Sequence, residues 1–242
     1  MISQLQILRN YEINTALNFL VKKFSVELKQ LSILEIGPGN LPINKFKPEV
    51  FTDYLGLEIN EDYLQKDIIL NSSENIKKLK DFDLIFSSSS VYYLDDCVDL
   101  LKSIDTQRKS VEVHIIPTAS WRIYTQLSAY LSKLKRKNEL ENTTDSIDND
   151  RKLIDLFFLK SHHFNVNRFA EFYFYRKKYW EDKFSHTEKR LVSLSSNIFY
   201  TGKNILGKNL SIKNRKLLSK FLGSSSRIYF LFPIKDLKNY DK

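Results

Sequence analysis

The segment that most constrains the fold is Ser32–Asn40, a short apolar run that ends in the turn Gly37-Pro38-Gly39. An apolar run before a glycine turn is typical of the buried first strand of an α/β sheet. Because glycine carries no Cβ, the backbone of such a turn can approach a bound nucleotide closely. The segment therefore predicts a sheet with a nucleotide-binding loop after its first strand.

A second apolar run, Tyr54–Leu57, ends in Glu58, about twenty residues after the turn. A carboxylate at the tip of the second strand is placed to accept hydrogen bonds from both hydroxyl groups of a ribose. A dinucleotide fingerprint needs a third glycine three residues after the second, and Pro42 stands at that position. The pattern therefore argues against NAD or FAD as the nucleotide.

Short apolar runs recur along the chain and alternate with segments of helical spacing. Predicted strands occupy residues 32–36, 54–58, 68–70, 82–86, 111–116, about 190–200 and 226–232. Predicted helices occupy 2–30, 94–104, 119–134 and 168–185, and a polar stretch at about 135–150 is predicted as a mobile loop. We therefore predict an α/β fold: a Rossmann-like, seven-stranded, mostly parallel sheet with helices on both faces and an N-terminal helical extension.

Composition narrows the class of protein. The chain of 242 residues is 42% hydrophobic, which fits a folded globule with a substantial core. Its one cysteine, Cys97, excludes an internal disulfide framework, and its histidines show no metal-ligand spacing. No apolar run approaches the length of a membrane span, and the N-terminus lacks the core of a signal peptide. We expect a cytoplasmic protein, with peripheral attachment at the inner membrane surface as an alternative.

Charge is distributed unevenly along the chain. Residues 31–110 hold 9 Lys/Arg and 14 Asp/Glu, a net charge of −5, whereas residues 151–242 hold 20 Lys/Arg and 7 Asp/Glu, a net charge of +13. Such asymmetry suggests an anionic partner for the second half: nucleic acid, a phospholipid surface or a phosphate-bearing substrate. A lysine-rich solvated face without a partner is the alternative.

Three segments, Ile33–Gly39, Leu57–Ile59 and Phe82–Ser88, together resemble the successive motifs of class I S-adenosylmethionine-dependent methyltransferases. The resemblance covers about residues 30–118. Shorter likenesses at 114–122, 199–202 and 222–225 are similar to segments of a subset of bacterial methyltransferases found among surface-polysaccharide genes.

The resemblance implies S-adenosylmethionine as the cofactor and a single domain over residues 1–242. Within that domain it implies an N-terminal helix at 1–30, a cofactor-binding core at 31–118, and acceptor-side helices with the final strands at 119–242. A first helix shortened by prolines departs from the usual family pattern next to the methionine end of the cofactor pocket.

The resemblance also implies a set of cofactor-binding residues. Glu35, Gly37, Pro38 and Gly39 would line the methionine and ribose side, Glu58 would bind the ribose hydroxyls, Ile59 would lie against adenine, Asn71 and Ser72 would stand near its exocyclic amine, and Ser87 and Ser88 would border the sulfonium. The family often has aspartate where Asn71 stands, and asparagine keeps a hydrogen-bonding role without the charge.

Transfer of a methyl group to oxygen or nitrogen often uses a base on the acceptor's proton. His163, which follows the predicted mobile loop, is the favoured catalytic residue, and a surface or loop-capping histidine is its alternative. Trp121 and Arg122 are candidates to stack on a sugar ring and to clamp a phosphate. Tyr92 and Tyr93 either shape the acceptor pocket or belong to the core.

These observations predict S-adenosylmethionine-dependent methyl transfer to a small-molecule, glycan or lipid-linked acceptor. The partner is then a small molecule or a phosphate- or lipid-bearing glycan, and no metal is expected. An RNA methyltransferase is an alternative, because the basic half interleaves lysines with aromatic residues. A non-catalytic scaffold that binds S-adenosylmethionine is a third hypothesis.

Overall fold

A computed structural model of the protein describes residues 4–24, 27–47, 50–91, 94, 96–106, 109–140, 172–201 and 209–234. Its centre is one seven-stranded sheet in the order β3-β2-β1-β4-β5-β7-β6. The strands are β1 (Ser32–Ile36), β2 (Asp53–Glu58), β3 (Ile68–Leu70), β4 (Leu84–Ser88), β5 (Val111–Pro117), β6 (Arg190–Ser195) and β7 (Ser226–Phe232).

The helices of the described residues precede, connect and follow these strands. They are α1 (Gln4–Phe24), α2 (Ile43–Phe46), α3 (Ser73–Lys77), α4 (Cys97–Ile104), α5 (Ala119–Leu140), α6 (Lys177–Ser185) and α7 (Ile212–Leu222). Short 3₁₀ turns lie at Leu28–Gln30 and Glu61–Tyr63. No helix among the described residues is long and apolar enough to cross a membrane.

The sheet is mixed, and its parallel part contains the reversal in strand order that matters for function. β1 pairs in parallel with both β2 and β4, whereas β6 and β7 pair antiparallel. The chain runs from β1 outward to β3 and then returns to β4 on the other side of β1. Ligands of open α/β sheets bind beyond the carboxyl ends of the strands at such a switch point.

Apolar side chains of the strands and of α1 form the main core. Ile13 and Leu20 from α1 pack with Ile33 of β1, Phe86 of β4 and Phe230 of β7, all fully buried. Near its N-terminus α1 leaves Leu5 and Ile7 exposed. The predicted N-terminal helix is present and packs one apolar stripe against the sheet, but it ends at Phe24, six residues before its predicted end, and a 3₁₀ turn follows at Leu28–Gln30.

Contacts within the chain group into two compact units. The first comprises residues 1–116, 181–196 and 227–242, and the second comprises 117–180 and 197–226. In the second unit the segments on either side of α7 are tied together, because the Ser225 hydroxyl accepts from the Tyr200 amide at 2.7 Å and donates to the Tyr200 carbonyl at 2.6 Å.

The structure confirms the predicted fold class and all seven predicted strands, with changes at several boundaries. β4 runs to Ser88, two residues beyond its predicted end, and β6 ends at Ser195, five residues before its predicted one. The predicted loop at 135–150 is wrong in its first part, because α5 continues to Leu140. The predicted helix at 168–185 is interrupted at residues 175–176, and α6 begins at Lys177. Residues 141–171 lie outside the described residues.

Candidate functional site

A pocket of about 190 Å³ lies in the first compact unit, at the carboxyl ends of β1, β2, β3 and β4. Its lining consists of Ile36, Gly37, Gly39, Leu57, Glu58, Ile59, Tyr63, Asn71, Ser89, Ser90 and Leu94. This volume is smaller than the roughly 300 Å³ at the lower end of pockets that enclose a whole drug-sized ligand. It therefore suits one part of an extended ligand, such as a nucleoside.

The turn after β1 depends on two glycines for different reasons. Both have positive φ, +64° at Gly37 and +57° at Gly39. A Cβ on Gly37 would lie 2.3 Å from the Cβ of Ser90, so only glycine fits there. A Cβ on Gly39 would have nothing within 4 Å, so glycine leaves open space beside the pocket. The first glycine thus serves packing, and the second leaves room for a ligand.

Glu58 joins the tip of β2 to this turn. One carboxylate oxygen, Oε2, accepts a hydrogen bond from the Gly39 amide at 2.8 Å. The other, Oε1, accepts from the amides of Ile59 at 2.9 Å and Asn60 at 3.2 Å. The residue is only 5% exposed and yet lines the pocket. Since each carboxylate oxygen has two lone pairs, Glu58 keeps acceptor capacity for a ligand hydroxyl.

The pocket has apolar walls with polar groups at its rim. Ile36 and Leu57 are buried at its base, whereas Ile59 is 60% exposed at its mouth. The Asn71 amide donates to the Glu58 carbonyl at 2.7 Å, which brings the end of β3 beside the end of β2. An exposed isoleucine beside an asparagine suits a flat, heterocyclic ring with polar edges.

The serines at the pocket are not the two that the sequence predicts. Ser87 and Ser88 are buried within β4, where they pair with His114 and Ile115 of β5. Neither lines the pocket, because β4 runs two residues further than its apolar run suggests. Ser89 and Ser90 line it instead. Ser89 has φ of +57°, and the Ser90 hydroxyl donates to the Ile36 carbonyl at 2.5 Å, which fixes β4's end against β1.

Glu35, predicted to lie on the methionine and ribose side of the cofactor, is not part of the pocket lining. Its side chain is fully buried and accepts from Arg9 at 2.8 Å, from the Ile43 amide at 2.7 Å and from the Tyr54 hydroxyl at 2.9 Å. Burial raises the pKa of Glu35, while the Arg9 charge and the hydrogen bonds from Ile43, Tyr54 and Arg9 act in the opposite direction. Glu35 thus holds α1, the start of α2 and β2 around the turn, outside the pocket.

Pro38 and Ser72 are likewise absent from the pocket lining. Pro38 packs on the other side of the turn, where its ring would lie 2.9 Å from a Cβ on Gly56. Ser72 caps α3, since its hydroxyl accepts from the Asn75 amide at 3.3 Å. Of the ten predicted cofactor-binding residues, the pocket brings together five: Gly37, Gly39, Glu58, Ile59 and Asn71.

These residues fit an adenosyl nucleoside. The open space beside Gly39 admits a ligand against the backbone, and the neighbouring carboxylate of Glu58 has the chemistry to accept ribose hydroxyls. The apolar wall and Asn71 have the chemistry to hold a purine. Among the described residues, no group of three or more His, Cys, Asp or Glu side chains could hold a metal ion.

A buried polar network runs beneath the serine end of β4. Ser87 Oγ lies 2.8 Å from His114 Nδ1, and His114 Nε2 lies 3.1 Å from Glu112 Oε2. The ammonium of Lys189 lies between two carboxylates, 2.6 Å from Glu112 Oε1 and 2.5 Å from Asp105 Oδ2. All five side chains are at most 7% exposed. The network is closed off from solvent, so it holds strands and loop together instead of acting as a nucleophile.

The charge state of this network is set by its own members. Burial alone would raise the pKa of Glu112, but the hydrogen bond from His114 and the positive charge of Lys189 outweigh it and lower that pKa. Glu112 is therefore ionised at neutral pH and balances the buried ammonium. The ring of Phe184 stacks on His114 with centroids 5.1 Å apart and covers the network. A histidine in a predicted buried strand was the sequence signal for polar partners on the neighbouring strand.

Only two of the predicted acceptor-side residues, Trp121 and Arg122, lie among the described residues. In the second unit, the Trp121 ring lies 5.9 Å from that of Tyr175, and Arg122 is half-buried. Tyr92, Tyr93 and the predicted base His163 lie outside the described residues. The role of His163 stays a prediction.

Comparison with known proteins identifies the fold. No protein family model matches the chain, and no curated protein matches it. It is similar to an S-adenosylmethionine dependent methyltransferase from Mesorhizobium loti, at 15% identity and a TM-score of 0.50, over 91% of this chain and 97% of that one. It is also similar to the plantazolicin methyltransferase BamL, solved in complex with a triazolic desmethylPZN analog and SAH, at 14% identity and a TM-score of 0.50, over 95% of this chain and 86% of that one.

The chain therefore has the fold of S-adenosylmethionine-dependent methyltransferases. The class I methyltransferase resemblance of the sequence is confirmed at the level of the fold, and so is the Rossmann-like sheet.

Proposed function

We propose that the protein binds S-adenosylmethionine and transfers its methyl group to an acceptor. The observation that carries the proposal is the hydrogen bond of 2.8 Å between the Gly39 amide and the Glu58 carboxylate. It brings a glycine turn and a strand-tip acid to one pocket at the switch point of a sheet with the methyltransferase fold. A nucleotide with a free ribose is the ligand class that such a pair recognises.

In this proposal each pocket residue has a stated task. Glu58 accepts hydrogen bonds from the ribose hydroxyls, and the Gly39 backbone lies against the ligand. Ile59 covers one face of the adenine, and Asn71 bonds to its polar edge. Ser89 and Ser90, at the end of β4, border the methionine side and take over the position that the sequence gives to Ser87 and Ser88. The bound cofactor supplies an electrophilic methyl group on a positively charged sulfur.

We further propose that the acceptor is a small molecule, a glycan or a lipid-linked glycan. The net charge of +13 over residues 151–242 supports an anionic group on the acceptor. Trp121, which is only partly buried in the second unit, supplies aromatic surface of the kind that binds sugar rings. The proposed base is His163. With one cysteine, free and buried, the chain suits the cytoplasm, where we propose that it acts.

Calorimetry with S-adenosylhomocysteine and with S-adenosylmethionine tests the cofactor half of the proposal. The expected result is one site that binds both compounds and does not bind NAD. Absence of heat from both would overturn it. For the activity, the purified protein is incubated with methyl-labelled S-adenosylmethionine and fractions of a cell extract, and label is expected in the small-molecule or lipid fraction. Cofactor binding without label in any fraction would instead favour a scaffold.

An RNA methyltransferase is the second candidate, favoured by the run of residues 197–226, which holds six Lys/Arg and no Asp/Glu. Phosphate contacts make nucleic-acid affinity fall steeply with salt. An RNA enzyme should therefore bind mixed-sequence RNA at 50 mM salt and lose about a thousandfold or more in affinity by 200 mM. If the protein binds no RNA at either salt concentration, the RNA hypothesis is excluded and the small-molecule or lipid-linked acceptor remains.

A further inference from the structure

Helix α7 exposes two large apolar side chains on one face. Leu217 is 55% exposed and Phe221 is 78% exposed, although both lie inside a regular helix. Residues four apart on a helix are neighbours on its surface, so the two side chains form one patch. Phe221 is more exposed than any other large hydrophobic side chain among the described residues. Burial of such side chains is favourable, so the patch formed by Leu217 and Phe221 is a candidate docking surface.

Lysines flank the apolar pair. Lys213, Lys216 and Lys220 are all exposed. At 100° per residue Lys213 and Lys220 lie on the same side of the helix as Leu217 and Phe221, and Lys216 lies at the border of that side. The fourth basic residue of α7, Arg215, lies on the opposite side of the helix and is only 1% exposed. No carboxylate interrupts this surface within the chain segment that carries it, because residues 197–226 contain no Asp or Glu.

The helix is fixed within its own unit by its other side. Arg215 donates to the Phe199 carbonyl at 3.1 Å and to the Leu210 carbonyl at 3.1 Å. The Ser211 hydroxyl caps the N-terminus by accepting from the Asn214 amide at 3.3 Å. Arg215 is thus used for packing, while the three lysines are left at the surface. These contacts fix α7 within the second unit, so its outward face is formed without a bound partner.

We propose that this face of α7 docks on a membrane surface that contains anionic phospholipid. An interfacial helix places leucine and phenylalanine at the boundary of the acyl chains and lysines among the headgroups. The long aliphatic stems of lysine allow the ammonium groups to reach phosphates while Leu217 and Phe221 enter the apolar layer. Charge complementarity selects anionic over neutral lipid.

The mixture of side chains favours lipid over nucleic acid as the anionic partner. Lysines alone would serve either one, since both present phosphates. An exposed leucine, however, gains nothing from a phosphate backbone, and single-stranded binding uses rows of aromatic residues that stack on bases. Only a bilayer offers an apolar layer directly beneath its phosphates. This inference concerns the second unit and does not depend on the cofactor pocket.

Flotation with phospholipid vesicles tests the inference on the full chain. One set of vesicles contains phosphatidylcholine alone, and the other contains 30 mol% phosphatidylglycerol, a composition of order one-third charged lipid. The wild type is expected to float with the anionic vesicles only. Leu217→Ser with Phe221→Ser should lower the bound fraction by about tenfold or more. Lys213→Gln with Lys216→Gln and Lys220→Gln should weaken binding by about fivefold for each lysine.

Matched variants on α1 and just after it serve as controls. Lys22→Gln, Lys23→Gln and Lys29→Gln remove the same charge from exposed positions, and Leu5→Ser with Ile7→Ser removes similar apolar surface. Both controls should bind vesicles as the wild type does. Unchanged circular dichroism and unchanged affinity for S-adenosylhomocysteine would show that the α7 variants are folded, whatever the outcome for methyl transfer.

Three results would overturn the inference. The first is a wild type that stays unbound at both lipid compositions. The second is an equal loss of binding in the two lysine variants, which would show attraction by total charge alone. The third is RNA binding that the α7 variants abolish while vesicle binding is unchanged, which would assign the face to nucleic acid.

Discussion

Glu58 Oε2 lies 2.8 Å from the amide nitrogen of Gly39, so the tip of β2 holds the turn that follows β1. The same carboxylate also accepts hydrogen bonds from its own following loop through Ile59 and Asn60. One side chain thus sets the shape of two loops at the pocket and supplies the acceptors that we assign to a ribose. Its removal should therefore affect both the shape of the turn and ligand binding.

Glu58→Ala is expected to weaken binding of S-adenosylhomocysteine by about 2–3 kcal/mol, or roughly 30- to 150-fold, because charge-assisted hydrogen bonds are lost. Titration calorimetry at neutral pH measures the change. The matched control is Glu61→Ala, an exposed carboxylate three residues later, which should bind as the wild type does. Equal affinity of Glu58→Ala and wild type would contradict the ribose assignment.

The two glycines of the turn should respond differently to alanine. Gly37→Ala forces a Cβ to within 2.3 Å of Ser90 at a φ of +64°, so we expect a loss of roughly 2–5 kcal/mol of stability. Gly39→Ala meets open space at a φ of +57° and should cost only about 1 kcal/mol. Urea unfolding measures both.

Ligand affinity gives the second half of this comparison. Folded Gly39→Ala protein should bind S-adenosylhomocysteine at least tenfold more weakly, because its new Cβ takes space beside the ligand. If Gly39→Ala binds normally, the ligand does not approach the turn at this point. If Gly37→Ala is as stable as the wild type, the close contact with Ser90 is not a constraint on the turn.

Lys189→Met should be strongly destabilising although it keeps most of the side-chain volume. The ammonium of Lys189 is 2.5 Å from Asp105 and 2.6 Å from Glu112, and its loss leaves two buried carboxylates without their cation. We expect a cost of about 3–5 kcal/mol in the free energy of unfolding. The exposed Lys178→Met is the control and should stay within about 0.5 kcal/mol of wild type. A similar small change in Lys189→Met would refute a stabilising role of the pair.

Glu112 should contribute a specific acid sensitivity. Its folded-state pKa lies below the usual 4.5, so the stabilisation is present above about pH 4.5 and is lost as pH falls through the lower, folded-state value. Glu112→Gln should therefore lose less stability than the wild type between pH 5 and pH 3. Urea unfolding at a series of pH values measures the slopes. Glu74→Gln, which alters an exposed carboxylate, should retain the wild-type slope, and a retained slope in Glu112→Gln would contradict the assignment.

The parallel half of the sheet was predictable because its signals are local. The apolar runs before Gly37 and before Glu58 gave β1 and β2 to within one residue, and with them the place of the pocket. The identity of the turn glycines followed from the same segment. These features need only the alternation of strand and turn along a short stretch of chain.

The serine positions were harder to predict because they depend on a neighbouring strand. Ser87 is polar but lies inside β4, where His114 of β5 supplies its hydrogen bond. Hydropathy alone ends that strand at Phe86 and puts Ser87 in a loop. The same limit applies to Glu35, whose partners Arg9 and Tyr54 come from distant elements. Long-range polar pairing is not encoded in periodicity.

The Arg9–Glu35 bond of 2.8 Å makes the first helix a participant in the pocket's construction. A shortened protein that begins at β1 would leave the Glu35 carboxylate in the interior without its cation, directly behind the glycine turn. Designers who wish to transplant this binding loop onto another scaffold must therefore carry the arginine-bearing helix with it. Its removal would disturb the loop from behind, even though no residue of this helix lines the pocket.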